Sequence, residues 1–190
     1  MGIEDRRVRE QSARRELIIT TARNLAETEG WDAVTTRRLS TEIEYSQPLI
    51  YKHFQGMDAI AEAIAIEGFG ELADSMRTAR AGADTAREAL MRACQAYLDF
   101  ARTSPAVYDA MFTRATTVQF AAEDTPPQPR AAFAELRQVA GPIAGDGDAD
   151  TATEVVFAAL HGLATLRRGA RLRPDHDADR VLLLVEQLTR

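Results

Sequence analysis

Apolar residues recur along the chain at intervals of three and four, the spacing that gathers side chains on one face of an α-helix. Alternating runs of β-branched residues, which are typical of half-buried strands, are absent from the sequence. We therefore predict an all-α protein with about nine helices. The predicted helices cover residues 13–29, 36–43, 47–54, 58–79, 84–103, 105–114, 130–140, 151–170 and 177–189.

Residues that cap or break helices set off the short second and third helices. Gly30 is suited to end the first helix, and Thr35 and Ser46 are suited to cap the starts of the next two. Pro48 falls in the first turn of the third helix, where its missing N–H group costs little. Two short helices joined by a tight turn and packed on a longer first helix predict a helix-turn-helix.

The predicted elements divide the chain into two domains. We assign residues 1–56 to a three-helix DNA-binding helix-turn-helix domain and residues 57–190 to a helical-bundle domain for ligand binding and dimerisation. Within the first domain, residues 1–12 are expected to form a flexible arm. The five arginines of residues 6–15 are expected to be solvated, with insertion into the minor groove as the alternative. Breaker-rich compositions predict loops at residues 121–130 and 141–150.

The third helix carries the side chains best suited to reading DNA. Its predicted inward face holds Leu49, Ile50 and Phe54, so the remaining polar residues point away from the core. Glutamine can pair with adenine and proline can pack on a thymine methyl group, whereas tyrosine, lysine and histidine suit phosphates. The arginine at the start of the second helix could reach either a phosphate or a base edge. The candidates from residue chemistry are Arg37, Gln47, Pro48, Tyr51, Lys52 and His53.

Residues 30–54, which read GWDAVTTRRLSTEIEYSQPLIYKHF, resemble the DNA-binding domain of the TetR family of repressors. The match runs from a glycine and an aromatic residue through threonines, a short helix and a turn to the specific ending Tyr-x-His-Phe. The resemblance implies that the operator is contacted by Thr36, Arg37, Gln47, Pro48, Tyr51, Lys52 and His53.

Three residues depart from the family pattern. Glu44 stands where the family usually has a turn glycine, so we expect mild strain in that turn. Met57 replaces the lysine that usually opens the fourth helix, which removes one expected phosphate contact. Ala26 replaces a common aromatic residue, and we expect Trp31 to fill that part of the core.

The distribution of charge is compatible with DNA binding although the net charge is −6. Residues 1–55 contain nine basic and nine acidic groups, which leaves 14 basic and 20 acidic groups in residues 56–190. An acidic body is repelled by DNA and helps to turn the neutral, arginine-bearing segment toward it.

The second domain resembles the type of C-terminal domain that is marked by a Trp…His-Gly motif. The resemblance runs through residues 97–112 and 157–166, with Phe157 in the position of the tryptophan. It implies a helical body that carries a ligand pocket and a dimer interface. Aromatic and apolar residues of the fifth to eighth helices are the candidate ligand-binding set, with ordinary core packing as the alternative for each. These candidates are Cys94, Tyr97, Phe100, Tyr108, Met111, Phe112, Phe133, Phe157 and His161.

A single helix-turn-helix makes few contacts with DNA, so we expect a two-fold dimer on an inverted repeat. Small residues on the eighth helix permit close helix approach, and the ninth helix has more apolar surface than a small domain needs. Packing of these faces inside one protomer is the alternative. The candidate interface residues are Ala158, Gly162, Leu166, Val181, Leu184, Val185 and Leu188.

The sequence thus predicts a ligand-responsive transcription regulator. We expect a repressor that a small apolar or aromatic molecule releases from a palindromic operator. The alternatives are an activator, or a DNA-binding regulator that responds to a protein partner instead of a small molecule. An enzyme is disfavoured, because the three histidines are scattered and no P-loop, GxGxxG, HExxH or GxSxG motif occurs.

The sequence also predicts the absence of disulfides, cofactors, metals and membrane segments. The single cysteine, Cys94, excludes an internal disulfide and is expected to be a small buried apolar residue. No cofactor and no metal are expected. No run of about 18 apolar residues and no signal peptide is evident, so we expect a cytoplasmic protein without membrane association.

Overall fold

The computed structural model describes residues 3–114 and 125–189. All regular elements within these ranges are helical, which confirms the predicted all-α fold. The α-helices are α1 (Ile3–Glu29), α2 (Thr36–Glu42), α3 (Gln47–His53), α4 (Met57–Arg80), α5 (Ala86–Thr103), α6 (Pro105–Asp109), α7 (Pro127–Ala140), α8 (Ala149–Arg168) and α9 (Asp177–Leu188). Short 3₁₀ turns cover Trp31–Ala33 and Gly141–Ala144, and a π-helical turn covers Ala110–Arg114.

The contacts between residues divide the described chain into two units. The first unit holds the residues up to Gly68 together with those from Ser104 to Arg114, and the second holds the remainder. Helix α4 therefore contributes residues to both units. The functional division after residue 56 stays a prediction.

The interior of the first unit is built from aliphatic side chains of α1, α2 and α3. Those of α1 recur at helical spacing, so that one face of the helix is apolar and buried while the other meets water. Leu49, which was predicted to face inward, is half-buried rather than buried. The buried side chains of this core include Ile18, Ile19, Ala22, Leu25, Val34, Leu39, Ile43, Ile50 and Phe54.

The first helix begins earlier than the sequence predicts. It starts at Ile3 rather than at residue 13, so the described part of the predicted arm is helical. All side chains from Asp5 to Leu17 are exposed. Because no core contact supports this segment, its apolar pattern could not predict it, and local pairs such as Arg6 with Glu10 at 2.8 Å support it instead.

Two later helices also begin earlier, for reasons of capping chemistry. Pro127 opens α7 in the first turn, where no N–H is required, so the predicted loop ends sooner; residues 121–124 of that loop lie outside the described residues. The carboxylate of Asp148 accepts a 2.7 Å hydrogen bond from the amide of Thr151 and caps α8. Part of the second predicted loop is a 3₁₀ turn.

The second unit is held together by amphipathic faces of α5, α8 and α9 and by a buried charge cluster. Glu135 of α7 is only 7% exposed. Arg77 and Arg80 of α4 donate hydrogen bonds of 2.8 Å to its two carboxylate oxygens. These arginine hydrogen bonds hold the pKa of Glu135 below its usual value against the burial that opposes ionisation. The buried apolar side chains of this unit include Leu90, Ala93, Tyr97, Leu136, Val156, Leu160, Val181 and Val185.

None of the helices in the two described ranges has an apolar stretch long enough to cross a membrane. Over the same residues, no group of His, Cys, Asp and Glu side chains is arranged to hold a metal ion.

Candidate nucleic-acid interface

The helix-turn-helix begins at a capped helix. The Thr35 hydroxyl accepts a 3.1 Å hydrogen bond from the amide of Arg38, as the sequence predicts for the start of α2. Ser46 precedes α3 in the predicted cap position, but its side chain makes no capping hydrogen bond. Its backbone carbonyl instead accepts from the amide of Leu49 at 2.9 Å. The start of α3 is therefore fixed by the backbone.

The turn between α2 and α3 requires an unusual backbone conformation. Glu44 has φ +55°, in the left-handed region that glycine adopts without strain. The amide of Tyr45 closes the turn by donating to the carbonyl of Ser40 at 3.1 Å. Glu44 thus adopts the left-handed conformation that the family's glycine would favour, and the strain expected there stays a prediction.

Helix α3 exposes the residues that the sequence selects for DNA contact and buries the opposite face. Ile50 and Phe54 are 2% and 4% exposed, whereas Tyr51 is 56% exposed. Of the seven residues predicted to contact DNA, five are exposed and two are half-buried. Exposed side chains are Arg37, Gln47, Pro48, Tyr51 and Lys52, and half-buried side chains are Thr36 and His53.

A polar contact joins the exposed ends of the two helices. The hydroxyl groups of Thr36 on α2 and Tyr51 on α3 lie 3.3 Å apart, within hydrogen-bond distance. The Thr36 hydroxyl also lies 3.8 Å from the sulfur of Met57, the first residue of α4. The starts of α2 and α4 and the outer face of α3 therefore meet at one place on the surface.

Two neighbouring arginines of α2 have different environments. Arg38 donates hydrogen bonds of 2.8 Å to both Glu29 and Glu42, and these acidic partners raise its pKa above the usual value. Within the described residues, the side chains of Arg37 and Lys52 form no hydrogen bond or ion pair. Arg37 and Lys52 are thus available to an anion, and Arg38 serves the packing of α1 against α2.

Positive charge from α1 adds to this surface. The pKa of His53 is lowered first by burial and then by the charges of Lys52, Arg14 and Arg15. The guanidinium of Arg15 also lies over the Phe54 ring, 4.6 Å from its centroid. Arg14 and Arg15 were given a DNA contact only as the alternative to a solvated arm, because no local pattern relates α1 to the end of α3.

Helix α6 is fastened to the same unit by α1 and the turn after it. The carboxylate of Glu27 accepts hydrogen bonds of 3.1 Å from the amides of Ala106 and Val107 at the start of α6. The indole N–H of Trp31 donates a 3.0 Å hydrogen bond to the carbonyl of Ala106. The guanidinium of Arg114 lies 5.0 Å from the centroid of the Trp31 ring. Trp31 is half-buried at this junction.

A glycine brings α4 close to α6 in this unit. A Cβ atom at Gly68 would lie 2.4 Å from Cγ1 of Val107 and 2.9 Å from the sulfur of Met111. Because no side chain fits at that distance, Gly68 is required for the close approach of the two segments.

The predicted ligand-binding residues fall into two groups. In the second unit, Phe157 packs edge-to-face on Tyr97 with centroids 6.4 Å apart and lies 5.8 Å from the His161 ring. In the first unit, Tyr108 and Phe112 have centroids 4.7 Å apart. Buried members of the set are Cys94, Tyr97, Phe100, Tyr108 and Met111; Phe112, Phe157 and His161 are half-buried, and Phe133 is 36% exposed.

Burial shifts the pKa values of Cys94 and His161 in this set. It raises the pKa of the Cys94 thiol to about 12, so the thiol is protonated and unreactive. It lowers the pKa of His161, so the imidazole is neutral near pH 7. Both residues are therefore uncharged under ordinary conditions.

The predicted dimer residues differ in their access to the surface. Ala158 and Leu166 are exposed, and Gly162, Leu184 and Leu188 are half-buried. Val181 and Val185 are instead completely buried within the second unit, which corrects their assignment to an interface. All five residues from 181 to 185 are apolar, so the pattern could not tell which face of α9 meets the core. Leu182, whose apolar character on the ninth helix the sequence analysis used, is exposed, and so are Val155 and Leu183, which it did not name.

Comparisons with known proteins agree with this architecture. The family described as "Bacterial regulatory proteins, tetR family" matches residues 18–64, and "Tetracyclin repressor-like, C-terminal domain" matches residues 90–188. The chain is 32% identical over 99 residues to the Bacillus subtilis protein "Uncharacterized HTH-type transcriptional regulator YobS", covering 50% of this chain and 49% of that protein. The chain spans about half the length of the curated relatives it matches.

Solved structures share the fold at lower identity. A Rhodococcus sp. RHA1 protein of unknown function superimposes with a TM-score of 0.74 at 24% identity, over 92% of both chains. The TetR family regulator PfmR from Thermus thermophilus gives a TM-score of 0.58 at 16% identity, over 90% of this chain and 96% of that one. With both family profiles matched in order along the sequence, the chain belongs to the tetR family of bacterial regulatory proteins.

Proposed function

We propose that this chain is a homodimeric, ligand-responsive DNA-binding repressor that a small apolar or aromatic molecule releases from a palindromic operator. The observation that carries the proposal is the division of α3, which buries Ile50 and Phe54 and exposes Gln47, Tyr51 and Lys52. Polar residues on the free face of a second helix are the groups that a helix-turn-helix offers to the major groove. A regulator is not an enzyme, and its place of action is the cytoplasm.

Each exposed residue has a role that follows from its chemistry. Gln47 and Pro48 stand at the start of α3, where they reach adenine and thymine edges. Tyr51, Lys52 and His53 bind phosphates, which fixes the register of the helix without reading sequence. Thr36 and Arg37 approach the adjacent phosphates from the first turn of α2, and the hydroxyl pair of Thr36 and Tyr51 orients both groups.

The dimer is proposed to form through the outer faces of α8 and α9. On α8, the exposed Val155, Ala158 and Leu166 lie along one stripe with the half-buried Gly162. A Cβ atom at Gly162 would meet no atom within 4 Å, so packing within the protomer gives no reason for a glycine there. On α9, Leu182 and Leu183 are exposed, and Leu184 and Leu188 are half-buried.

For a ligand to release the protein from DNA, the proposed ligand site must be mechanically linked to helix α3. Helix α4 contributes residues to both units and begins at Met57, beside the Thr36 hydroxyl. We expect a ligand that binds among the helices of the second domain to favour one tilt of α4. That tilt would change the distance between the two DNA-binding domains of the dimer. Ligand and DNA then weaken each other's binding by the same coupling free energy, typically about 1–3 kcal/mol.

The aromatic group of Tyr97, Phe157 and His161 supports an apolar or aromatic effector. Tyr97 is buried, so the half-buried ring of Phe157 would supply the apolar contact and the neutral imidazole of His161 one polar handle. The other candidate residues remain proposals: Cys94, Phe100, Tyr108, Met111, Phe112 and Phe133.

Selection of bound sequences from random duplex DNA tests the proposal. We expect enrichment of an inverted repeat whose half-sites lie roughly 34 Å apart or slightly more. Recovery of a single half-site without its repeat would contradict binding as a homodimer. If no sequence is enriched at moderate salt, the proposed DNA recognition is contradicted. Transcription from a promoter carrying the repeat then separates repressor from activator, and screening small molecules for release separates a small-molecule effector from a protein partner.

A further inference from the structure

The exposed first part of α1 carries a basic row that continues the buried face of the same helix. In the core, that face holds Ile18 and Ala22. Counting back from Ile18 at intervals of four, three and four, the same face holds Arg14, Gln11 and Arg7, and all three side chains are exposed. The face of α1 that is apolar inside the unit is therefore basic where the helix extends beyond the core.

The arginines of this row are little used by ion pairs within the protein. Glu10 accepts a 2.8 Å hydrogen bond from Arg6 and lies 3.9 Å from Arg14, a distance too long for a hydrogen bond. Among the residues that the structure describes, the side chain of Arg7 forms no hydrogen bond or ion pair. Arg7 and Arg14 can thus bind an anion without giving up a close partner.

The basic row begins where α1 passes the end of α3. The guanidinium of Arg15 lies over the ring of Phe54, 4.6 Å from its centroid. Burial lowers the pKa of His53 most, and the charges of Arg14 and Arg15 lower it further, which places both arginines near the last turn of α3. At about 1.5 Å per residue, the row extends roughly 10 Å along α1 beyond Arg14. Positive charge therefore continues from the end of α3 onto the start of α1.

We propose that the start of α1 binds the sugar-phosphate backbone of DNA next to the groove that receives α3. Arg7 and Arg14 then contact phosphates, and the side-chain amide of Gln11 donates a hydrogen bond between them. Because α1 is helical from Ile3 and a helix is about 10–12 Å across, it does not fit a minor groove about 6 Å wide, so these arginines do not read base edges there. The inference rests on the proposed DNA-binding function and adds to it a contact that is independent of sequence.

The salt dependence of DNA binding tests this contact. Arg7→Gln and Arg14→Gln each remove two charges from a dimer, so each should lower the slope of log affinity against log salt by about 2. At low salt, each should weaken binding roughly threefold to tenfold, and by the same factor for the selected inverted repeat and for a scrambled duplex. Arg9→Gln, which removes the same charge from the opposite face of α1, is the matched control and should change the slope much less. Circular dichroism of these variants establishes that the fold is retained.

Ser12→Pro separates a rigid helix from a flexible arm. Proline at this exposed position keeps every charge but interrupts α1 ahead of the core, so it should lower the slope as much as Arg7→Gln does. A Ser12→Pro protein with the wild-type slope would overturn the helical contact. Wild-type slopes for both arginine variants, or a loss of affinity confined to the inverted repeat, would overturn the phosphate contact altogether. If the wild type binds neither duplex, the proposed DNA-binding function itself is contradicted.

Discussion

The indole N–H of Trp31 and the carbonyl of Ala106 form a 3.0 Å hydrogen bond between residues 75 positions apart in the sequence. Together with the two amides bound by Glu27, this bond attaches the start of α6 to α1 and its following turn. The junction satisfies backbone groups that a helix N-terminus otherwise leaves without partners. It ties α6 to the helices that carry the proposed DNA-binding face.

Removing the charge of Glu27 should loosen this junction. Glu27→Gln keeps the shape of the side chain but loses the carboxylate that faces the positive end of α6, and we expect a loss of about 1–2 kcal/mol in the free energy of unfolding. Chemical denaturation measures it. Glu16→Gln, at an exposed position of the same helix, should change stability by less than about 0.5 kcal/mol. Equal effects of the two variants would argue against the junction.

The two glycines of α4 should respond in opposite directions to the same substitution. Gly68→Ala forces a methyl group against Val107 and Met111, and we expect a loss of roughly 1–3 kcal/mol. Gly70→Ala places its methyl group 3.6 Å from Gln128, an ordinary contact, so improved helix propensity should add roughly 0.5–1 kcal/mol. Thermal unfolding of both variants measures the difference. A stabilised Gly68→Ala protein would contradict the close approach of α4 and α6.

The strained turn between α2 and α3 should be relieved by glycine. Because Glu44 has φ +55°, Glu44→Gly should stabilise the protein by about 1 kcal/mol. Glu44→Ala removes the same carboxylate but keeps the Cβ atom, and it should give no such gain. The comparison by denaturant unfolding therefore isolates the backbone conformation from the charge. Equal stability of the two variants would show that the turn is not strained.

Operator affinity should depend on pH through His53. Its pKa is lowered in the free protein by burial and by neighbouring positive charge, and a bound phosphate would raise that pKa. Binding DNA then takes up a proton, so affinity should rise as the pH falls through the pKa of the complex and level off below the pKa of the free protein. Titrations between about pH 8 and about pH 5.5 at constant salt measure the effect. His53→Gln should flatten the profile; a variant that keeps the full pH dependence would remove His53 from the phosphate contacts.

The sequence predicted the helix-turn-helix well, because local rules determine it. The cap at Thr35, the left-handed position of Glu44 and the inward face of Ile50 and Phe54 all follow from residues a few positions apart. Ser46 precedes α3 as predicted but does not form the expected side-chain cap. The exposed character of Tyr51 and its neighbours follows from the same periodicity.

Features that depend on distant contacts were not predictable in the same way. The carboxylate of Glu27 meets amides 79 and 80 residues away, and no spacing rule relates them. The π-helical turn that ends the predicted sixth helix at Asp109 has no distinct apolar period. The apolar run at the start of α9 hides which of its faces is inward, so the burial of Val181 and Val185 emerges only from packing.

The affinity of Tyr51→Ala for a selected operator tests the central claim most directly. Tyr51 is exposed and contributes little to the core, so the variant should keep the helical content and the mass in solution of the wild type. Since a dimer presents this residue twice, we predict that fluorescence anisotropy will report binding weakened roughly tenfold or more. Gln138→Ala, which removes an exposed side chain of α7 outside every proposed site, should bind as wild type. Undiminished affinity of the Tyr51→Ala protein would contradict the assignment of the outer face of α3 to DNA.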